Sequence, residues 1–333
     1  MATLKDIAEQ AGVSASTVSR VLHSKEYINP EKRTQILKLL EQNSYILPEK
    51  PVQNAETRKA ITIGILISDT YNMYRRQFFS SIERYLNSFG YRALFFFVKF
   101  DIASQKESLE HLKSEKLDGI ILHNELSLPA FTDYITKRNI QAVSTICNDD
   151  PFPTIKIDDR RAAAEAVNHL ISLGHRNINL LYGNAFSYGR ERMEGYYEAL
   201  AGAGIERDEN RIFSVGRYTC EAGMYGMREM LLRRRDFTAL FAASDDLAIG
   251  AIRVLQDEGI RVPEEVSVIS VDDVEIANYF IPRLTTIHQP MDEIAEQSVI
   301  NLRRLMSGGN GINSEIIIPH KLIVRESTSA IVH

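Results

Sequence analysis

Leu4, Ile7, Ala8 and Ala11 recur at the i, i+3, i+4, i+7 spacing that puts apolar side chains on one face of a helix. Thr3 stands at the N-cap position, with Asp6 three residues on as a capping-box partner. Gly12 supplies a turn, Ser14 can cap a second helix, and Val18, Val21 and Leu22 give that helix an inner face. Asn29-Pro30-Glu31 opens a third helix: a cap residue, proline at the first helical position, and an acid near the positive end of the dipole. Ile36, Leu39 and Leu40 form its apolar stripe. Residues 47–60, LPEKPVQNAETRKA, contain two prolines and no apolar run, and read as a linker.

From Ile61 the rhythm changes to short apolar runs separated by longer amphipathic stretches. The runs are ITIGILI (61–67), ALFFFV (93–98), GIIL (119–122) and AVSTI (142–146), then INLLY (178–182), ALFAA (239–243) and VSVIS (266–270). This alternation is the βαβ pattern of parallel sheets covered by helices on both faces, and the two series predict two doubly wound α/β lobes. Two further strand-like pieces, EIIIP (315–319) and KLIV (321–324), follow near the end.

The 333 residues exceed one ordinary core, in line with a separate head and body. The net charge of −5 is unevenly spread: residues 1–60 carry nine Lys+Arg against seven Asp+Glu, and the remainder carries all of the acidic excess. A head this weakly basic needs specific fit or dimerisation to hold nucleic acid. Two cysteines, Cys147 and Cys220, far apart in sequence, exclude a disulfide scaffold, and no Cys or His pair shows metal-ligand spacing, so neither a metal nor a cofactor is expected. No run approaches the roughly 20 apolar residues that span a bilayer. The acids of MATLKDIAEQAGVS replace the apolar core of a secretory signal, which predicts a cytoplasmic protein with no membrane partner.

Two helices joined by a tight turn, LKDIAEQAGVSASTVSRVL (4–22), can lay the second in the major groove of DNA. Its outer face carries Ala15, Ser16, Thr17, Ser19 and Arg20, small or hydrogen-bonding residues that approach base edges closely, with an arginine able to pair bidentately with guanine. The same pattern also suits a plain three-helix bundle with a polar surface, and the apolar spacing alone does not separate the two. DIAEQAGVSASTVSRVL resembles the head of the lactose/galactose repressor (LacI/GalR) family. Further landmarks of that family follow in order: IDDRRAAAEAVNHLISLGHRNINLL, AASDDLAIGAIRVLQDEGIRVPEEVSVISVDD and PRLTTIHQP. The resemblance covers nearly the whole chain.

It implies a helix-turn-helix DNA-binding domain over 1–46, a hinge over 47–60, and a two-lobed, periplasmic-binding-protein-like body over 61–333. The N-lobe then spans about 61–160 and 290–319, and the C-lobe about 161–289 and 320–329. It also implies a homodimer on a near-palindromic operator, and the tail after Arg325 carries no leucine heptads for a tetramer. By position in the family, Ala15, Ser16 and Arg20 read bases; Thr17 and Ser19 read as phosphate or groove contacts, and the capping residues Thr3 and Ser14 join the candidate DNA-binding set. Family members usually wedge a hinge leucine into the minor groove. Here Ala55 stands at that position, preceded by Pro48 and Pro51, so the segment departs from the pattern and suits a flexible tether as well as a hinge helix.

In open α/β sheets ligands sit outside the carboxyl ends of strands. That rule points to Asp69, Tyr74 and Asn124 in the first lobe. In the second, the resemblance implies that Arg190 clamps ligand hydroxyls or carboxylates, Tyr218 stacks on a sugar face, Asp273 accepts ligand hydroxyls, and Gln289 contributes more weakly. Ser244 replaces an asparagine common in sugar-binding relatives. His175 after Leu173-Gly174 reads as a helix cap. The expected function is a repressor of a carbohydrate-utilisation operon, controlled by a sugar-like effector, with a lean to galactose or a β-galactoside. A corepressor role for a phosphorylated carrier protein, through Arg303 and Arg304, is one alternative, and a sugar-capture transport component another. An α/β enzyme is disfavoured: there is no GxSxG, no phosphate-cradling glycine loop and no His–Cys pair, and strand alternation points Asp272 and Asp273 apart.

Overall fold

The structure is a computed structural model that describes residues 4–14, 17, 18, 21, 32, 35, 36, 38, 39, 60–68, 73–99, 101–123, 129–146, 151–183, 187–309 and 315–331. Thr3, Ala15, Ser16, Ser19, Arg20, Ala55, Asp69 and Asn124, and the linker up to residue 59, lie outside the described residues. The chain divides into two compact units, Met1–Ile61 with Arg84–Arg92, and Thr62–Glu83 with Ala93–His333.

In the first unit, helix α1 (Leu4–Ala11) ends at Gly12, whose φ of +64° is the left-handed turn that glycine permits. Ser14 then begins the next helix: its Oγ accepts the Thr17 N–H at 3.2 Å and pairs with Thr17 Oγ1 at 2.8 Å. Ile7, Ala8, Ala11, Val18, Val21 and Ile36 form one buried cluster, with Val13 and Leu39 against it. The helical spacing read from the sequence is therefore the spacing that closes this small core.

In the second unit, a four-stranded sheet has the order β2 (Arg92–Val98), β1 (Thr62–Ser68), β3 (Gly119–His123), β4 (Gln141–Ser144). Every residue of β3 is buried, as expected of a strand covered on both faces. Leu66, Val98, Leu112, Ile120 and Phe131 are among the residues that join the sheet to helices α3 (Ile102–Ser114) and α4 (Pro129–Lys137). Helix α2 (Met73–Ser88) follows β1.

A six-stranded sheet has the order β12 (Lys321–Ile323), β10 (Thr285–His288), β9 (Ser267–Asp272), β8 (Ala239–Ala242), β6 (Ile178–Gly183), β7 (Ile212–Val215). Its pairings are parallel except for β12 against β10. Helices α5 (Asp159–Ser172), α6 (Ser187–Gly202), α7 (Cys220–Arg233) and α8 (Asp245–Asp257) cross between its strands. Two short strands, β5 (Ile155–Lys156) and β11 (Ile316–Ile317), pair in parallel where the chain passes between the lobes. Helix α9 (Met291–Met306) leaves β10 and returns to pack on β3, β4 and β5.

Strands β5, β7 and β10 escape the apolar-run reading because they are two to four residues long and, in TTIH, mostly polar. The chain turns out of its helix at Leu173-Gly174-His175 as the sequence predicts, with Gly174 at φ +95°, and His175 has a further role. It is buried at the start of two C-lobe strands, bonded to Thr238 Oγ1 at 2.9 Å, Ser267 Oγ at 3.0 Å and Ser329 O at 3.0 Å. Its side chain thus ties two strand ends to the C-terminal segment, while its backbone N–H closes the helix on Leu170 O at 3.2 Å. Among the described residues no helix is long and apolar enough to cross a membrane. Among the same residues no group of three or more His, Cys, Asp and Glu could hold a metal ion.

Candidate functional site: the cleft between the lobes

A cavity opens at the carboxyl ends of the strands, lined from both lobes. Tyr74, Thr145, Ile146 and Ile294 come from the first lobe. Lys156 and Ile157 come from the crossing strand, and Asp159, Tyr188, Arg192, Tyr218, Ser244, Asp272 and Gln289 from the second. The enclosed cavity is narrow, about 30 Å³, within a cleft of about 450 Å³ that includes open solvent at the mouth.

Arg192 is the central cation. It is 3% exposed, and its Nε and Nη2 each lie 2.7 Å from Asp159 Oδ1, while Nη1 donates to the Ala243 carbonyl. Its guanidinium also sits 5.0 Å from the centre of the Tyr188 ring. Burial opposes its charge, but the Asp159 and Asp272 carboxylates outweigh that and raise its pKa further. Tyr188 and Tyr218 lean on one another with ring centres 5.2 Å apart, and the Tyr218 hydroxyl donates to Gly183 O at 3.3 Å. Burial pushes the Tyr218 phenol up, so it stays neutral.

Lys156 is the second cation. Burial disfavours its charge, but Glu191 at 3.0 Å and Glu315 at 3.3 Å reverse this and raise its pKa. Asp272 faces the cavity and accepts the Gln289 amide at 2.6 Å; burial lifts its carboxyl well above the usual range, with Arg192 pulling the other way. Ser244 caps α8, its Oγ accepting the Leu247 N–H at 3.2 Å. At the lip, Met73 N–H donates to Asp246 Oδ2 at 3.2 Å, a direct bond between lobes.

Of the residues singled out from sequence, the cavity gathers Tyr74, Tyr218, Ser244 and Gln289. Arg190 and Asp273 are placed elsewhere. Arg190 is exposed, because the buried stripe of α6 runs through Tyr188, Arg192, Tyr196 and Leu200, and Arg190 is two positions out of phase. That stripe of four-residue steps was readable in the sequence and favours Arg192. Asp273 turns outward to His288 Nδ1 at 2.9 Å and Arg325 Nη2 at 2.7 Å. The alternation of Asp272 and Asp273 to opposite sides was anticipated, but the cavity takes Asp272. Ser14 and Thr17 bond each other at the helix start in the head. Lys156, Asp159 and Tyr188 escaped the sequence reading because their role depends on partners thirty or more residues away.

The chain also compares directly with known proteins. A family profile described as bacterial regulatory proteins, lacI family, matches residues 3–47, and one described as a periplasmic binding protein-like domain matches residues 167–328. The HTH-type transcriptional regulator AscG of Escherichia coli K12 is 30% identical over 338 residues, covering 99% of each chain. Among solved structures, the transcriptional regulator CelR in complex with cellobiose superposes with a TM-score of 0.75 at 26% identity, covering 98% of this chain and all of that one. The Lac repressor dimer bound to operator and the anti-inducer ONPF gives 0.74 at 26% identity, covering 99% of both. A helix-turn-helix head, two α/β lobes around a polar cleft and similarity from end to end lead to one assignment: the chain belongs to the lacI family of bacterial regulatory proteins and is a transcriptional regulator, not an enzyme.

Proposed function

We propose that this regulator is a homodimeric repressor whose hold on operator DNA is set by a neutral sugar bound in the cleft. The observation that carries this reading is the charge balance of the cavity wall. Both of its cations are already engaged, Arg192 by Asp159 and Lys156 by Glu191, and Asp272, its carboxyl pushed toward the neutral form by burial, adds hydrogen-bonding capacity with no cation to spare for an anion. A phosphorylated or uronic sugar would have to displace those carboxylates. A neutral polyol asks only for donors and acceptors, with Tyr188 and Tyr218 offering a flat face to its C–H groups. CelR with cellobiose is consistent with this class, and galactose and β-galactosides are the first members to try.

Ligand sites are typically about 300–1,000 Å³, so a sugar cannot enter without parting the lobes or moving the tyrosines. The Met73–Asp246 bond across the lip then breaks or re-forms with occupancy. A ligand that favours one lobe arrangement shifts that equilibrium, and operator and sugar must alter each other's affinity by the same factor. In the dimer, the exposed apolar Tyr225 and Leu232 of α7 with Tyr279 and Ile281 supply the C-lobe contact. Arg20 reads bases, with Ala15 and Ser16 beside it.

Thermal shift of the full chain with D-galactose, lactose, D-ribose and cellobiose, beside galacturonate and galactose 6-phosphate, tests the ligand class. Operator sites selected from random DNA then report coupling. A neutral sugar that stabilises the protein and changes its DNA affinity is the expected result. Stabilisation by the charged sugars alone would overturn the class, and a stabilising sugar with no effect on DNA binding would overturn the coupling.

A further inference from the structure

The ends of β9 and β10 are tied together twice. On the cavity side, Gln289 Nε2 donates to Asp272 Oδ1 at 2.6 Å, and Gln289 N–H donates to Asp272 O at 3.3 Å. On the opposite side, the next residue of β9's turn and the last residue of β10 make a second tie: His288 Nδ1 donates to Asp273 Oδ2 at 2.9 Å. Arg325, from the segment after β12, closes this outer tie. Its Nη2 donates to Asp273 Oδ1 at 2.7 Å and its Nη1 to Leu284 O at 2.8 Å. Its own N–H donates to Thr285 Oγ1 at 2.9 Å.

Asp272 and Asp273 have φ of +130° and +58°, a region that non-glycine residues rarely occupy. Two such residues in succession persist only where surrounding contacts over-determine them. The outer tie supplies those contacts: His288 and Arg325 hold the Asp273 carboxylate below its usual range against the effect of burial, so it stays charged and bonded. With Asp273 anchored outward, Asp272 has one direction left, into the cavity beside Gln289.

We propose that Asp273, His288 and Arg325 form an outer clamp of positioning residues that sets effector affinity by holding Asp272 and Gln289 in place, without touching the effector. This rests on the reading of the cleft as the sugar site. The C-terminal segment thereby takes part in ligand recognition from behind the sheet.

The test uses the full chain with Asp273→Asn, Asp272→Asn and the double variant, plus His288→Phe, a milder change at a half-exposed residue, should Asp273→Asn fold poorly. Calorimetry is done with whichever of D-galactose, lactose, D-ribose and cellobiose shifts the melting temperature most. Asp273→Asn weakens that sugar roughly tenfold with little change in melting temperature, and adds little once Asp272 is already Asn, because it acts through Asp272. Hydrogen exchange across residues 268–290 of the ligand-free protein quickens at the Gln289 amide. Unchanged affinity, or a loss that simply adds to that of Asp272→Asn, overturns the clamp. If Asp272→Asn leaves sugar binding intact, or no sugar binds, the cleft reading fails instead. Exchange then still decides whether the clamp holds the turn, and unchanged protection in Asp273→Asn overturns it.

Discussion

Arg192 and Asp159 form a buried ion pair in the wall of the cleft, Nη2 to Oδ1 at 2.7 Å, with both side chains under a tenth exposed. Removing one partner of such a pair strands the other charge in a dry setting, at a cost of about 3–5 kcal/mol. Arg192→Ala is therefore expected to lower stability by that order in denaturant unfolding. Arg190→Ala, on the exposed side of the same helix, is expected to stay within about 0.5 kcal/mol and to leave sugar affinity unchanged. Equal effects in the two variants would contradict the burial difference.

Tyr218 offers both a ring and a hydroxyl to its surroundings. If the ring face carries the sugar contact, Tyr218→Phe keeps most of the binding, since the ring stays and the hydroxyl's bond to Gly183 O is a long 3.3 Å. Tyr218→Ala removes the plate and is expected to weaken the sugar tenfold or more. Calorimetry on both variants checks this, and a Phe variant as poor as Ala would shift the role to the hydroxyl.

Ser14 caps the second helix of the head through Thr17 N–H. Ser14→Ala is expected to cost the head about 0.5–2 kcal/mol, and Ser14→Asp to restore most of it, since a carboxylate caps as well. Circular dichroism melting reads the stability. Any loss of operator affinity in the Asp variant beyond that of Ala reports repulsion of nearby phosphate.

His123 lies fully buried, stacked on Phe78 with ring centres 3.8 Å apart, and bonded to Thr145 through Nδ1 at 2.7 Å. The Thr145 hydroxyl gives its hydrogen to Leu122 O, so Nδ1 carries the ring hydrogen. Burial, helped by Arg75, holds the His123 pKa well below 6.5. The unfolded chain then binds a proton below about pH 6.5 that the folded chain refuses. Stability contributed by neutral His123 is complete above that pH and falls as the pH drops below it, by at most about 1.4 kcal/mol per pH unit. Asp245 works in the opposite sense: burial raises its carboxyl to about 7, so the folded state takes up a proton first as the pH falls. The two are separated by His123→Phe, in which the acid loss of stability below pH 6.5 should be smaller than in wild type. Identical pH slopes would mean that His123 is not held neutral.

The head was legible because its periodicity is local. Ile7, Ala8, Ala11, Val18 and Val21 pack together through the i, i+3, i+4 spacing that marks them in the chain, and Gly12 and Ser14 sit where turn and cap chemistry demand. The long buried strands were legible for a similar reason: β3 is covered on both faces and must be apolar throughout. The short polar strand β10 carries no such mark, although it brings Gln289 to the cavity.

Sequence by itself determined the two-part architecture, the α/β lobes and the end of the sheets where the cleft lies, since these follow from the apolar period and from the alternation of strands with helices. Tertiary structure decided which of two neighbouring residues serves the cleft. Arg192 prevails over Arg190 because Asp159, thirty-three residues earlier in the chain, waits on that face of α6. Asp272 prevails over Asp273 because His288 and Arg325 hold Asp273 on the far side. In each case the two candidates share charge and sequence neighbourhood, and differ only in partners that folding brings in from elsewhere in the chain.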